Sequence, residues 1–305
     1  MNVLTWNQVA ISDETEELVI ASTAPSTVET YRRAMDQLER WLDGRSLSDN
    51  LLASYITGLY QDGKSPATIS KIVAAVKWTA NHHCTGAKNY IFEITERTLA
   101  GIRRKGRDRG RGQVDGMTWA DVERVCTRVQ AESTVTGWRD SALIRLMSDC
   151  LLRIGEVVAV NVEDIDGGLT IHSSKTDLAA TGTPGVTLYI GPPTREVISR
   201  YCEAGRITNG ALFRRVRRGG HITADRLTVD GVRKIIKRRA CQAGLEGNIS
   251  GHSLRVGSAV SLAQAGASVV NMQVAGRWKS PQMPAHYARA ELAEQGAIAR
   301  FKYGK

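Results

Sequence analysis

The residues of this chain that could carry out chemistry are mainly basic and aromatic, and they lie in its second half. They occur in the segments LLRIGE, LTIHSSK, SGHSLRVGSA and AGRWKSPQMPAHYARA and comprise Arg153, Glu156, Lys175, His252, Arg255, Trp278 and Tyr287. A guanidinium group matches the geometry of a phosphate and keeps its charge at any physiological pH. Two arginines with a histidine or an indole N–H could therefore clamp the non-bridging oxygens of a phosphodiester.

A tyrosine beside such a clamp could attack the phosphorus in line and form a phosphotyrosyl ester. A lysine could protonate the departing sugar oxygen as a general acid, and the clamp would stabilise the charge of the transition state. This route needs neither a metal nor a nucleotide. It agrees with a sequence that has no Walker-type glycine loop, no HExxH segment and no GxSxG segment, and we predict no cofactor and no bound metal.

Each of these residues also has a plainer interpretation when it is taken alone. Arg153 lies in an apolar stretch that predicts a helix, where pairing with a glutamate three residues later would account for it. Lys175 would be an ordinary surface lysine and Tyr287 an ordinary helix aromatic. His252 and Arg255 share one helix face, and the small residues around them would let another backbone approach closely. The prediction of chemistry therefore depends on the whole set.

Helices with recognisable start signals make up the first part of the chain. Residues 1–23 are predicted to be a flexible arm, and residues 24–105 a small domain of four helices. Ser26, with a glutamate three positions later, has the spacing of a capping box for the first helix. Ser65 is the expected cap of the third helix, which has a proline in its first turn.

The composition changes after this helical domain. Residues 106–116 are rich in glycine and arginine and lack apolar periodicity, which predicts a flexible, basic linker. An ordinary solvated loop would explain the glycines but not the density of arginines.

The remaining residues, 117–305, are predicted to form a mainly helical domain with one small antiparallel sheet. Thr118 is the expected N-cap of its first helix. The segments LTIHSSK and GVTLYIG alternate apolar and polar residues, which predicts two strands joined by a hairpin-type loop with Lys175 at its leading edge. The fold class is therefore mainly α with a small antiparallel β-sheet, in two domains.

The composition fits a globular protein that binds a polyanion. The 305 residues are 42% hydrophobic and 24% charged, and a formal net charge of +10 favours nucleic acid as the partner. The five cysteines are unpatterned, and the adjacent His82 and His83 suit a polar helix end better than a metal site. No apolar run approaches about 18 residues, and the acidic N-terminus lacks the basic region of a signal peptide, so we expect a cytoplasmic protein without a membrane partner.

Taken in chain order, the seven residues resemble those of the tyrosine recombinases, the phage integrase family, and within it the Cre-like subgroup. The segments LLRIGE, SGHSLRVGSA, QVAGRWKSPQMPAHYARA and QGAIARF carry the resemblance, with LFRRVRRGG in support. The order Arg–Lys–His-x-x-Arg–Trp–Tyr is complete. The intervals of 23 residues from Arg255 to Trp278 and of nine residues from Trp278 to Tyr287 match the subgroup. The similarity is clearest over residues 138–303.

This resemblance implies a fold and a role for each matching residue. The fold would be an all-α, SAM-like core-binding domain followed by a catalytic domain. Arg153 and Arg255 would bind the scissile phosphate, and Trp278 would donate its indole N–H to it. His252 would assist proton transfer and phosphate binding, and Glu156 would support the site.

The resemblance also implies a covalent mechanism. Tyr287 would be the nucleophile of a site-specific DNA recombinase that cleaves and rejoins strands through a 3′-phosphotyrosyl intermediate and a Holliday junction, without metal or ATP. Lys175 would be the general acid. The loop after this lysine is long and includes Gly182, Pro184 and Gly185, which departs from the pattern of the family.

The implied partner is a double-stranded DNA recombination site, with inverted-repeat arms around a spacer. A homotetramer would form on two such sites, from a monomer or weak oligomer without DNA. The amphipathic segment ELAEQGAIARF would dock into a neighbouring subunit or pack on its own domain. The setting would be the nucleoid of a bacterial, phage or plasmid system. The residues predicted to contact DNA are Lys71, Lys77, Arg103, Arg104, Arg214, Arg215, Arg233, Lys234, Lys237 and Arg238.

Other functions remain as alternatives to a recombinase. A type IB topoisomerase or a hairpin-forming telomere resolvase would use the same chemistry, but the short chain and compact motif spacing disfavour both. A non-catalytic DNA-binding regulator on the same fold is disfavoured because the residue set is intact. A basic RNA-binding protein is a more distant alternative.

Overall fold

The structure is a computed structural model of the chain. It describes residues 12–83, 92–110, 112, 114–172, 185–287, 289 and 302–304. The chain forms two compact units, Met1–Gly112 and Gln113–Lys305. Helices predominate in both, and the second unit also has small antiparallel sheets. Among the described residues, no helix is both long enough and apolar enough to cross a membrane.

Five helices are described in the first unit. They are α1 (Asp13–Ala21), α2 (Pro25–Leu42), α3 (Asp49–Gln61), α4 (Pro66–His83) and α5 (Glu93–Lys105). The core of the unit is built from fully buried apolar side chains, among them Leu38, Leu52, Ile56 and Ile69. These side chains recur at helical spacing, so each helix buries one apolar face against the others.

The starts of these helices show which local signals act. Ser65 caps α4 as predicted, because its Oγ accepts the N–H of Thr68 at 3.3 Å. The prediction that Ser26 caps α2 is wrong, since Ala24 is the N-cap and Pro25 the first helical residue. Proline has a helical φ and lacks the N–H that the first turn would leave unpaired, so it begins a helix well.

Part of the predicted N-terminal arm is helical. At the start of α1 the Oγ of Ser12 accepts the N–H of Thr15 at 3.3 Å. Just beyond its end, Trp78 Nε1 of α4 donates to Thr23 Oγ1 at 3.1 Å. The bond from Trp78 attaches the end of this segment to α4, while residues 1–11 lie outside the described part of the chain.

Eight α-helices and one short 3₁₀ helix, Val162–Asp164, are described in the second unit. The α-helices are α6 (Trp119–Gln130), α7 (Val135–Asp149), α8 (Ile154–Ala159), α9 (Pro192–Gly205), α10 (Val229–Gln242), α11 (Ser253–Gln264), α12 (Val269–Gly276) and α13 (Gln282–Tyr287). Thr118 caps α6 as predicted: its Oγ1 accepts the N–H of Asp121 at 3.3 Å, and Asp121 Oδ2 accepts the N–H of Thr118 at 3.0 Å. Most of α7 is buried, including Leu143 and Leu146, so the other helices pack around it.

The described strands form two antiparallel hairpins where the sequence predicted one. The predicted pair is β1 (Leu169–Ile171) with β2 (Val186–Leu188). The second pair is β3 (Arg214–Val216) with β4 (Ile222–Arg226). Its arginine-rich strands lack a clear apolar alternation, so the sequence did not predict strands there. The turn itself contains Gly219 and Gly220, with φ of 90° and 83°, a conformation that glycine adopts easily.

Close contact between α11 and neighbouring segments fixes the region of the predicted chemistry. Gly257 lies against the backbone before α6, where a Cβ at this position would be 1.8 Å from the carbonyl oxygen of Met117. This confirms that small residues around the His-x-x-Arg pair permit a close backbone approach. The hydroxyls of Ser148 and Ser258 are 3.1 Å apart and join α7 to α11. The segment that leads from α7 to Arg153 is therefore joined to α11, which contains Arg255.

Candidate active site

Arg153 lies in the break between α7 and α8, as the N-cap of α8 and not within a helix as predicted. Leu151, with a φ of 47°, turns the chain at this break. Glu156 Oε2 accepts the N–H of Arg153 at 2.9 Å, and its Oε1 accepts from Arg153 Nη1 at 2.6 Å. The ion pair proposed for Arg153 taken alone is therefore present, and it fixes the arginine at the start of a helix.

Glu156 is also bound by a third residue, Arg277, which the sequence did not single out. Arg277 Nη2 donates to Glu156 Oε2 at 2.8 Å, and its Nη1 donates to the carbonyl oxygen of Cys150 at 3.0 Å. Burial raises the pKa of Glu156, but the hydrogen bonds from Arg153 and the charges of Arg277 and Arg153 bring it below its ordinary value. The carboxylate is therefore ionised at neutral pH.

Arg255 is held almost without solvent contact beneath this cluster. Its side chain donates from Nη1 to the carbonyl of Leu151 and from Nη2 to the carbonyl of Gly276. Its guanidinium carbon lies 4.3 Å from the ring centroid of Trp278, a cation–π contact. Burial, with the positive charges of Arg153 and Arg277, lowers the pKa of Arg255 to about 9. Arg153 and Arg277 thus share the carboxylate of Glu156, and Arg255 adds a third positive charge nearby. The cluster carries net positive charge and can bind an anion.

Tyr287 and His252 form the pair that could transfer a proton. The hydroxyl of Tyr287, at the end of α13, lies 3.0 Å from His252 Nε2. Burial, followed by the charges of Arg255 and Arg153, lowers the pKa of His252. Burial raises the pKa of Tyr287, and the same two arginines partly offset this. At neutral pH a protonated phenol therefore faces a neutral imidazole that can accept its proton.

Trp278 supports the site from below. Its side chain is buried, and its ring centroid lies 6.0 Å from that of Tyr287. The ring packs on Gly276, where a Cβ would lie 2.0 Å from a ring carbon of Trp278. The indole therefore lies against both Arg255 and Tyr287, and glycine is needed next to it.

Lys175 lies outside the described residues, as does the rest of the loop 173–184. The described chain before this loop ends at His172, whose Nε2 is 2.9 Å from Asp164 Oδ1. A cavity of about 440 Å³ between α8 and β1 is lined by Arg153, Glu156 and His172, among others. His172, the last described residue before the loop, thus lines the same cavity as Arg153 and Glu156. The role of Lys175 stays a prediction.

The basic residues predicted to contact DNA are placed on several elements. On α10, Arg233, Lys234, Lys237 and Arg238 are all exposed. Arg233 Nη1 donates to an aspartate of its own helix at 2.6 Å. Arg238 Nη2 donates to the buried Asp140 of α7 at 2.8 Å, which leaves part of its guanidinium on the surface.

The β3–β4 hairpin orients its two predicted contacts differently. Arg214 is half-buried, and its Nε donates to the carbonyl of Ala211 at 2.9 Å while its Nη2 donates to the carbonyl of Asn209. These bonds give Arg214 a role in holding the hairpin. Arg215 is exposed.

In the first unit, the predicted contacts lie on α4 and α5. Lys71 and Arg104 are exposed. Lys77 forms an ion pair with Glu96, and Arg103 Nε donates to a serine hydroxyl of α4 at 3.2 Å. Arg103 is nevertheless exposed as well, and DNA contact by any of the four residues stays a prediction.

The chain is similar in sequence to known proteins over more than half of its length. Residues 117–294 match the model of the phage integrase family. The chain is 27% identical over 220 residues to the Cre recombinase of Escherichia phage P1, a match that covers 65% of this chain and 64% of that protein. It is 22% identical over 240 residues to the tyrosine recombinase XerC of Alcanivorax borkumensis, covering 76% and 73%.

Solved structures share the fold over most of the chain. The XerH recombinase bound to palindromic difH DNA, a post-cleavage complex, has a TM-score of 0.62 at 17% identity and covers 85% of this chain and 74% of its own. A lambda integrase fragment bound as a dimer to a COC′ core site has a TM-score of 0.60 at 19% identity, covering 90% and 93%. This likeness, with the mainly helical fold and small antiparallel sheets of the described chain, confirms the predicted fold class.

Proposed function

The chain belongs to the phage integrase family, and from that membership we infer that it is a tyrosine-type site-specific DNA recombinase. The observation that carries this inference is the 3.0 Å contact between Tyr287 Oη and His252 Nε2, beside a cluster of three arginines that are buried or partly buried. Such a cluster needs an anion to balance it, and a phosphodiester supplies one next to a nucleophile. The relatives named Cre and XerC are recombinases, which supports the same conclusion.

Strand cleavage would begin with a scissile phosphate held by Arg153 and Arg255. The oxygen of Tyr287 attacks the phosphorus while the phenolic proton passes to His252 Nε2. The bond from phosphorus to the 5′ oxygen breaks, and that oxygen takes a proton from Lys175, its assigned general acid. The products are a 3′-phosphotyrosyl ester and a free 5′-hydroxyl.

Rejoining reverses these steps with a strand from the partner duplex. The incoming 5′-hydroxyl attacks the phosphotyrosyl phosphorus, and Tyr287 leaves and recovers its proton. The phosphodiester energy is kept in the ester, so no external energy source is required. Exchange of one pair of strands gives a Holliday junction, and exchange of the second pair resolves it.

The arginine cluster would provide most of the rate acceleration. Its charges lie in a buried site, where they stabilise the charge on phosphorus oxygens more strongly than they would in water. Trp278 supports both Arg255 and the nucleophile and would donate its indole N–H to the same phosphate. Glu156 orients Arg153 through two hydrogen bonds.

The partner is a double-stranded recombination site, and the working assembly is a homotetramer on two sites. This proposal is supported by the XerH and lambda integrase structures, which are bound to difH and to a core site. The segment ELAEQGAIARF, predicted to dock into a neighbouring subunit, lies outside the described residues. The bacterial and phage sources of the relatives support a cytoplasmic, nucleoid-associated location.

The function is tested by trapping the covalent intermediate. A cognate site is first selected from random duplexes that the protein binds, and the selected duplex is then nicked so that cleavage cannot be reversed. We expect a denaturation-resistant protein–DNA adduct that forms in the presence of a metal chelator and is absent in Tyr287→Phe. An adduct that persists in Tyr287→Phe would move the nucleophile elsewhere.

Other outcomes identify the alternative functions. A selected site that is bound tightly but never gives an adduct would indicate a non-catalytic regulator. Relaxation of supercoiled DNA without exchange between two sites would indicate a topoisomerase. Strand exchange between two selected sites supports the recombinase.

A further inference from the structure

Arg277 has a backbone conformation that non-glycine residues seldom adopt. Its φ and ψ are 52° and 44°, in the left-handed region, and it ends α12 with its N–H donating to the carbonyl of Val274 at 3.1 Å. An L-residue is disfavoured there because its Cβ crowds the following carbonyl. A residue kept in such a conformation at a functional site suggests that its side chain has a task.

A second arginine shows that the backbone turn alone does not require these contacts. Arg206 ends α9 with φ of 50° and ψ of 45°, and its side chain is exposed. The side chain of Arg277 is instead 11% exposed and bound at both terminal nitrogens. Arg206 and Arg277 have nearly the same backbone geometry but differ in what their side chains contact. The backbone turn therefore does not by itself explain the contacts of Arg277.

The contacts of Arg277 reach the phosphate-binding arginine through one carboxylate. Glu156 Oε1 binds Arg153 Nη1 at 2.6 Å, while Glu156 Oε2 binds Arg277 Nη2 at 2.8 Å. A carboxylate that pairs with a single arginine commonly accepts two parallel N–H···O hydrogen bonds from that guanidinium group. Here one oxygen is taken by Arg277 and by a backbone N–H, so Arg153 is limited to a single side-chain bond with Glu156.

Charge balance also indicates that Glu156 does not fully neutralise Arg153. One carboxylate shared by two guanidinium groups leaves a net positive charge on the trio, whereas a simple Arg153–Glu156 pair would be neutral. Arg153 is also the more exposed of the two, with 26% of its side chain accessible against 11% for Arg277. The remaining donors of Arg153 can therefore face an anion that arrives from solvent.

We propose that Arg277 is a positioning residue of the active site, which holds Glu156 so that Arg153 keeps both the orientation and the charge needed to bind the scissile phosphate. The proposal rests on the recombinase function inferred above. Arg277 acts through Glu156 and does not touch the substrate. Its loss would let Glu156 rotate towards Arg153, neutralise it and draw it from the phosphate.

The test compares two substitutions that relieve the same backbone conformation. Arg277→Gly and Arg206→Gly each place glycine in a left-handed helix end, which glycine tolerates well. We expect Arg277→Gly to lower the single-turnover rate of adduct formation on the nicked duplex by about ten- to a hundred-fold, the range for loss of a charged hydrogen bond. Its affinity for the uncleaved duplex should change by less than about threefold, and Arg206→Gly should cleave like the natural chain.

A double-substitution cycle separates positioning from a general structural role. In a Glu156→Gln background the carboxylate is gone, so Arg277→Gly should lower the cleavage rate by less than about threefold further. Equal loss in both backgrounds would mean that Arg277 acts independently of Glu156 and would overturn the proposal. Arg277→Lys, which keeps the charge but offers a single donor point, should recover part of the rate.

The controls distinguish this inference from the proposed function. All rates are measured at a temperature at which circular dichroism shows every variant folded. If the natural chain forms no adduct, the recombinase function fails. If the natural chain cleaves and Arg277→Gly cleaves at the same rate, only the positioning role fails.

Discussion

At the scale of single residues, the site is defined by opposite pKa shifts on two hydrogen-bonded groups. Burial lowers the pKa of His252, with the charges of Arg255 and Arg153 acting in the same direction. Burial raises the pKa of Tyr287. At neutral pH the phenol of Tyr287 therefore keeps its proton, and the neutral imidazole of His252 is able to accept one.

This arrangement predicts a dependence of cleavage on pH. A group with a lowered pKa becomes protonated only at a pH below its ordinary value of 6.5. We expect the cleavage rate to fall as the pH decreases through the lowered pKa of His252, because imidazolium cannot accept the tyrosine proton. Single-turnover adduct formation measured from pH 5 to pH 8 on the nicked duplex tests this.

The pKa of His252 can also be measured directly in the protein without DNA. In a ¹⁵N NMR titration the pKa of His252 should lie below 6.5, and Arg153→Gln should raise it because a positive neighbour is removed. Arg206→Gln, at the exposed end of α9, should leave it unchanged. An unchanged pKa in Arg153→Gln would show that Arg153 does not influence the imidazole as its charge implies.

At the scale of elements, the site depends on how closely α11 approaches the segment before α6. Gly257 follows the His-x-x-Arg pair by two residues, and a Cβ there would lie 1.8 Å from the carbonyl oxygen of Met117. Backbone atoms cannot move aside as a flexible side chain can. The helix α11, which contains Arg255 and has His252 as its N-cap residue, would therefore have to shift.

We predict that Gly257→Ala lowers both stability and cleavage. The expected loss in free energy of unfolding is about 1–3 kcal/mol or more, as found for overpacked interiors, and adduct formation should slow because Arg255 moves with α11. Thermal unfolding and the nicked-duplex assay measure the two effects. Gly155→Ala is the matched control, because a Cβ on α8 at that position meets no atom within 4 Å, and alanine favours a helix over glycine.

At the scale of the whole molecule, the net charge of +10 favours binding to a polyanion, with the basic face of α10 as the predicted contact. Lys234 and Lys237 are both exposed on this helix. Each lysine that neutralises a phosphate releases bound counterions, so DNA affinity depends steeply on salt. The contribution of the helix can therefore be measured without knowing which bases are read.

We expect the double substitution Lys234→Ala with Lys237→Ala to weaken binding to all duplexes about equally. The slope of log affinity against log salt should fall by roughly two, about one for each lost phosphate contact. Arg128→Ala, at an exposed arginine of α6, should leave the slope unchanged. An unchanged slope in the double substitution would place the DNA elsewhere.

Much of the molecule was predictable because the signals are local. The caps Ser65 and Thr118 and the β1–β2 hairpin act over a few residues, so a short window of sequence contains the necessary information. The predicted capping role of Ser26 was wrong because Pro25 starts the helix, two positions earlier than a Ser26 cap would place its first residue. The β3–β4 hairpin was missed because arginines occupy positions where an apolar alternation would have indicated strands.

By itself, the sequence predicted the chemistry of the site, since the types and order of the arginines, the histidine and the tyrosine indicate a phosphodiester-cleaving set. Only the tertiary structure decided how those groups are charged and held. Arg277 meets Glu156 across 121 positions of the chain, and Arg255 is bound by carbonyls of two separate segments. Contacts between distant positions arise from packing of the whole unit, and no periodicity or spacing within a segment records them.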